Sequence, residues 1–321
     1  MTSQKNSTEV QLRRKLLGTA SALAALSAFQ VPTQALAADA SDSDWHLTLD
    51  IGGQYAFNSG GKTQYADFGS PEPKVGVANG GNGQVALNLE TDGWIFGLKF
   101  NFGRTGDAHA KALYVYDTYF SYYGKGEVRH SENHKMLDFT VGQDVGLGMF
   151  GLEGSSVVSG GVRWANFSAV TVGHFSYGSK YNSEFRSNFT SFNREIHRSF
   201  NGIGPVISWA ASTPIGDPGC HLSFDWGVDA AVLFGSRKAW ENLTGDFSAR
   251  SRNGTVPQAS GYLGLGWHPD DSRFSFHAGY AVQASWGVFD SNFDDDSDDP
   301  RINHADRISH GPYLDVTMQL K

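Results

Sequence analysis

Four stretches of this 321-residue chain carry side-chain types that chemistry requires. FDSNFDDDSDDP crowds Asp290, Asp294, Asp295, Asp296, Asp298 and Asp299 together, and Asp294, Asp296 and Asp298 are the hard oxygen donors that Ca²⁺ would take. The glycine of an EF-hand loop is missing there, so a solvated outer loop is the competing account. RHSENHK sets His130 and His134 four apart with Glu132 between them, but the glutamate does not directly follow the first histidine, so the HExxH zinc motif is not present. His277, Ser275 and either Asp225 or Asp229 are the types of a base, a nucleophile and an orienting acid, with no GxSxG turn to present the serine. The glycines of VGVANGGNGQ (75–84) lack the strand, helix and acidic residue of a dinucleotide fingerprint. No stretch supplies a complete catalytic set, and neither enzyme activity nor a cofactor is expected.

The elements that position these residues read as strands. In HLSFDWGVDAAVLFG (221–235), Leu222, Phe224, Trp226, Val228, Ala230, Val232 and Phe234 take every second place, with Ser223, Asp225, Gly227 and Asp229 between. The same period of two runs through 44–57, 94–103 and 273–286, over lengths beyond the usual strand of about 5 or 6 residues. Weaker windows at 82–90, 112–124, 135–147, 159–173, 195–211, 255–267 and 306–320 bring the count to 11. Single-chain bacterial barrels normally hold an even number of strands. The expectation is therefore about 12 strands, within 10 to 14, with the missing one sought in the glycine- and serine-blurred stretch 145–200. TDGW, STPIGDPG and HPDDS read as tight turns, and 58–74, 176–188, 239–254 and 289–306 as longer outer loops.

Composition narrows the class. Charged residues are only 18%, hydrophobic residues 40% and aromatics 13%, with 39 glycines, a mix that favours β structure with many turns. The net charge of -8 argues against nucleic acid as a partner. One cysteine, Cys220, forms no intramolecular disulfide. At the N-terminus, QLRRKLL followed by LLGTASALAALSAF and then QALAADA reads as an export signal over 1–37, cut after Ala37. Arg13 and Arg14 are ordinary in such a signal, so the general secretory route is expected rather than the twin-arginine one. Residues 38–321 then form one domain, with no apolar run long enough for a spanning helix.

A soluble sandwich would also alternate. Two features favour a membrane barrel: aromatic residues at strand ends (Trp45, Tyr55, Phe57, Trp94, Phe102, Trp286), and polar faces built from Gly, Ser, Thr and Asp rather than Lys and Glu. The charged residues on those polar faces, Asp50, Lys99, Asp138, Arg163, Asp225, Asp229 and Arg273, are the candidate wall of a lumen.

GGVRWANF (160–167), FNGIGPVISW (200–209), GYAVQASWGVFD (279–290), the closing HGPYLDVTMQL (310–320) and the DGW at 92–94 resemble the Legionella major outer membrane protein-like family of pore-forming barrels. The resemblance covers most of the chain beyond the signal. It implies an outer-membrane barrel of a Gram-negative bacterium, without cofactor or catalytic residues, whose partners are lipid and small polar solutes or ions. The chain departs from the common pattern of a terminal aromatic residue by ending Gln319-Leu320-Lys321, although Leu314, Val316, Met318 and Leu320 still alternate. A passive pore is the expected function. An adhesin or structural barrel with a plugged lumen, and a barrel enzyme, are the alternatives. The oligomeric state is not legible.

Overall fold

The computed structural model describes residues 45–60, 63–64, 74–116, 121–146, 154–180, 190–216, 221–243, 246–269, 272–290 and 304–320. The expected export signal, Cys220 and the candidate Ca²⁺ ligands Asp294, Asp296 and Asp298 lie outside them. The strands are β1 (Trp45–Gly60), β2 (Thr63–Gln64), β3 (Lys74–Val75), β4 (Gly80–Thr91), β5 (Trp94–Thr105), β6 (Ala108–Tyr116) and β7 (Ser121–Asp144). They continue with β8 (Ser155–Lys180), β9 (Thr190–Ile215), β10 (Leu222–Leu243), β11 (Asp246–Trp267), β12 (Phe274–Asp290) and β13 (His304–Gln319).

Ten of them form a ring in the order β1-β4-β5-β7-β8-β9-β10-β11-β12-β13, and the antiparallel pairing of β1 with β13 closes it. A closed ring leaves no unpaired edge, the condition for backbone to cross lipid as strands. Ten lies inside the expected range and is even. The stretch 145–200 hides no further strand among its described residues, because its blurred pattern belongs to β8 and β9, each 26 residues long. Window 112–124 instead lies across a hairpin. β6 continues β5 past a break at Gly106–Asp107, and both pair with β7, β5 along its lower half and β6 along its upper half.

Local chemistry sets the turns. Between β4 and β5, Asp92 and Gly93 have φ of 50° and 77°. Two consecutive left-handed residues match the right-handed twist of the flanking strands, and Asp-Gly tolerates them. This turn lies at the end of the barrel where β1 begins and β13 finishes, as shown by the Trp45–Thr91 and Thr48–Gln319 pairings.

The outer surface carries a greasy band. Leu314 is 70% exposed, Ile207 66% and Phe234 57%. Leaving each in water would forfeit about 1.5–3 kcal/mol, which lipid contact recovers. Trp45, Trp94 and Trp267 mark the turn end of the band, and Tyr55, Phe57, Phe102 and Tyr280 its other edge. On β10, Leu222, Val232 and Phe234 are exposed while Ser223, Asp225 and Asp229 are buried, so the alternation faces as expected.

Strands β7 to β11 hold 22 to 26 residues. Crossing the hydrocarbon takes about 9–11, so their upper halves project beyond the bilayer. The stretch 239–254, expected as an outer loop, is a correction of this kind: it is strand except for the two residues outside the described set. Its inward positions carry Glu241, Arg250 and Arg252 instead of apolar groups, which removes the periodic signal.

Candidate functional site in the barrel lumen

Strand register builds the lowest level of the lumen, within the bilayer. Lys99 on β5 stands opposite Asp138 on β7, and Asp138 opposite Arg163 on β8, so three inward charges of alternating sign lie side by side. The Arg163 guanidinium grips Asp138 through Nε to Oδ1 at 2.8 Å and Nη2 to Oδ2 at 2.7 Å. It also reaches Asp229 on β10 at 3.1 and 3.2 Å, and Gln258 on β11 at 3.4 Å. This two-carboxylate clamp uses the planar fork that only arginine provides.

Neighbouring strands complete the level. Asp225 pairs through Oδ2 with His277 Nδ1 at 2.8 Å and accepts hydrogen bonds from Ser212 at 2.6 Å and Ser223 at 2.8 Å. Ser275 sits on His268 Nδ1 at 2.9 Å rather than on His277, so the three candidate catalytic types do not assemble into a relay. Asn88 donates to Asp50 and Gln84 to Asp315, at 2.8 and 2.9 Å. Of the expected wall residues, Asp50, Lys99, Asp138, Arg163, Asp225 and Asp229 are therefore inward and buried. Arg273 stands apart, exposed at the bend before β12, where its carbonyl accepts from the Gln319 amide.

Above this level lies a small cavity of about 30 Å³, room for water rather than a larger solute, lined by Gln54, Asn82, Gln84, Asn101, Gln283 and Asp315. Gln54 donates to the carbonyls of Ala281 and Gly311 and accepts from Asn82. Met136 on β7 touches the amides of Gln258 and Gln283 on the opposite wall, which spans the bore. A dry layer follows, in which Met136, Phe167, Phe200, Leu233, Val256, Val288 and Phe289 pack into one cluster. A bulge between Ser285 and Phe289, with Gly287 at φ 67°, turns both Val288 and Phe289 to the interior. Sequence periodicity missed that phase change because the bulged residues still read as apolar.

The projecting part of the barrel holds a second ionic level. Arg307 on β13 reaches across to Glu132 on β7, with Nε at 2.8 and 2.6 Å from the two carboxylate oxygens. His130 bridges Glu132 at 2.7 Å and Thr171 at 2.8 Å. Arg194 pairs with Glu241, and Arg252 with Asp290. Arg237 donates to the carbonyls of Gly287 and Thr255. None of these arginines stood out by motif, though the spacing in NREIHR and SARSR does place Arg194 with Arg198, and Arg250 with Arg252, on one strand face. Among the described residues, no three His, Cys, Asp or Glu side chains converge as metal ligands.

Glu132 makes this level sensitive to acid. Burial alone would raise its pKa, but the bond from His130 and the charge and bonds of Arg307 outweigh it and hold the group at about 2, below its ordinary 4.5. A carboxylate held lower in the folded state stabilises fully above its unfolded value and loses that contribution as pH falls through the folded one. Thermal unfolding in detergent should show a loss of about 2–3 kcal/mol between pH 4.5 and 2, and Glu132→Gln should remove that component. An unchanged pH profile in the variant would count against the assignment.

Comparisons with known proteins agree with this architecture. A family model described as Legionella pneumophila major outer membrane protein precursor matches residues 15–320. A comparison with curated protein sequences finds no match. Among solved structures, the outer membrane protease OmpT from Escherichia coli aligns with a TM-score of 0.50 at 10% identity, covering 88% of this chain and 99% of its own. A major outer membrane protein from Thermus thermophilus aligns at 0.34 and 14% identity, covering 87% of this chain and all (100%) of its own. The toluene transporter TodX from Pseudomonas putida aligns at 0.29 and 8%, covering 92% and 95%. At 10% identity the likeness to the protease shows the barrel fold alone.

Proposed function

Because this chain belongs to the Legionella pneumophila major outer membrane protein family, and so to the bacterial outer membrane, we propose that its barrel is a narrow passive path for ions or small polar solutes. One observation carries the proposal: the membrane-level interior is lined by Asp50, Lys99, Asp138, Arg163, Asp225, Asp229 and Asp315. Apolar side chains of similar volume would fill a purely structural barrel at equal or lower free energy. Charged walls and the amide-lined cavity instead substitute for part of a solute's hydration. The dry layer at Phe167, Phe200 and Phe289 is then the constriction, opposing water and ions until side chains move. The barrel is read as non-enzymatic, with residues 1–37 as its export signal.

A second reading rests on the same layer. If the spanning Met136 contacts and the dry cluster never part, the barrel is a structural platform that displays its outer ends. Planar bilayers separate the two. The folded protein should give small discrete conductance steps, and Phe200→Ala with Phe289→Ala should enlarge them severalfold. Silence from both proteins, each shown folded by heat-modifiable migration, would overturn the pore and leave the platform.

A further inference from the structure

Among the described residues, the part of the lumen above the dry layer carries more inward-facing arginines than carboxylates. Arg194, Arg198, Arg237, Arg252 and Arg307 face inward there, against Glu132, Glu241 and Asp290. Arg198 is 3% exposed, and its one side-chain bond among the described residues is a 3.5 Å contact from Nη1 to Thr171. Its Nη2 is buried without an acceptor, as is Nε of Arg252. An unsatisfied buried guanidinium donor is expensive, costing the full desolvation of a charged group. An anion with several acceptor oxygens would satisfy such donors.

We propose that this chamber is a binding site for a small oxyanion of the phosphate class, received by Arg198. The guanidinium fork matches two oxygens of a tetrahedral anion, and a low-dielectric wall strengthens the bond. Burial, together with repulsion from Arg194 and Arg307, lowers the Arg198 pKa only to about 10, so the group remains a cation at neutral pH. Above it, Val75, Val128, Phe175 and Ile196 form a second apolar cluster, which restricts entry to small ligands. The ring of strands keeps lipid headgroups out, so the anion comes from the medium, either as free phosphate or as the phosphate ester of a small molecule. The site does not depend on whether the lumen conducts.

Titration of the detergent-folded full chain with inorganic phosphate, against chloride at equal ionic strength, should raise the thermal midpoint for phosphate alone. Arg198→Leu should weaken that response at least tenfold. A hexose phosphate run in parallel separates the sources: binding equal to phosphate indicates an ester-tolerant site, and no binding a site for the free anion. Phosphorus NMR of the unmodified protein, with the bound signal displaced by excess sulfate, gives a readout that needs no variant. Absence of a phosphate-over-chloride effect, or an undiminished response in Arg198→Leu, would overturn the proposal.

Discussion

Arg163→Leu is expected to cost about 3–5 kcal/mol of stability, because it leaves two buried carboxylates, Asp138 and Asp229, with Lys99 alone to balance them in the membrane-level interior. All three groups are at most 5% exposed, so water cannot solvate the two carboxylates. Urea unfolding in lipid vesicles, followed by tryptophan fluorescence, measures the loss. The mechanism also predicts a rescue. Adding Asp229→Asn to Arg163→Leu leaves Lys99 facing Asp138 as a balanced pair, so most of the loss should return. If the double variant is no more stable than the single one, the cost lies in packing rather than charge. Asp229→Asn alone should be mild, since Arg163 keeps its shorter pair of bonds to Asp138.

Val228→Arg, one residue away from Asp229, tests the opposite face. Val228 stands midway along the lipid-facing row of β10 between Leu222 and Phe234, so an arginine there meets the hydrocarbon near its midplane. The penalty on such a face is about 2–4 kcal/mol. Refolding into vesicles should fall sharply, seen as loss of the heat-modifiable band on a gel. Efficient refolding of the variant would mean that this row does not face lipid. Two adjacent residues of one strand therefore respond to charge in opposite ways: one position tolerates only the loss of charge, the other only its absence from the start.

How much was legible depended on where each residue stands along its strand. Near the bilayer, one face must match hydrocarbon and the other must not, so period two is enforced residue by residue. That pattern set Asp225 and Asp229 on one polar face, with Asp50, Lys99, Asp138 and Arg163 on theirs, and the aromatic strand ends and the family resemblance turned those faces inward. Beyond the bilayer both faces meet water or polar neighbours. The pattern faded there, and 239–254 looked like a loop although Glu241 and Arg252 sit in regular strands. Arg273 shows the limit at the other end, where one residue before the strand start is enough to leave the lumen.

By itself, the sequence determined the fold class, the facing of the membrane-level rows and the family, because alternation and turn chemistry are local and are read within a few residues. The tertiary structure decided what the inside of the barrel is. Whether ten strands leave an open bore depends on which side chains meet across it, and those partners are far apart in the chain: Met136 with Gln283, Glu132 with Arg307, Arg163 with Asp229. Such pairs follow from ring closure and register, which fix long-range distances that no window of sequence contains.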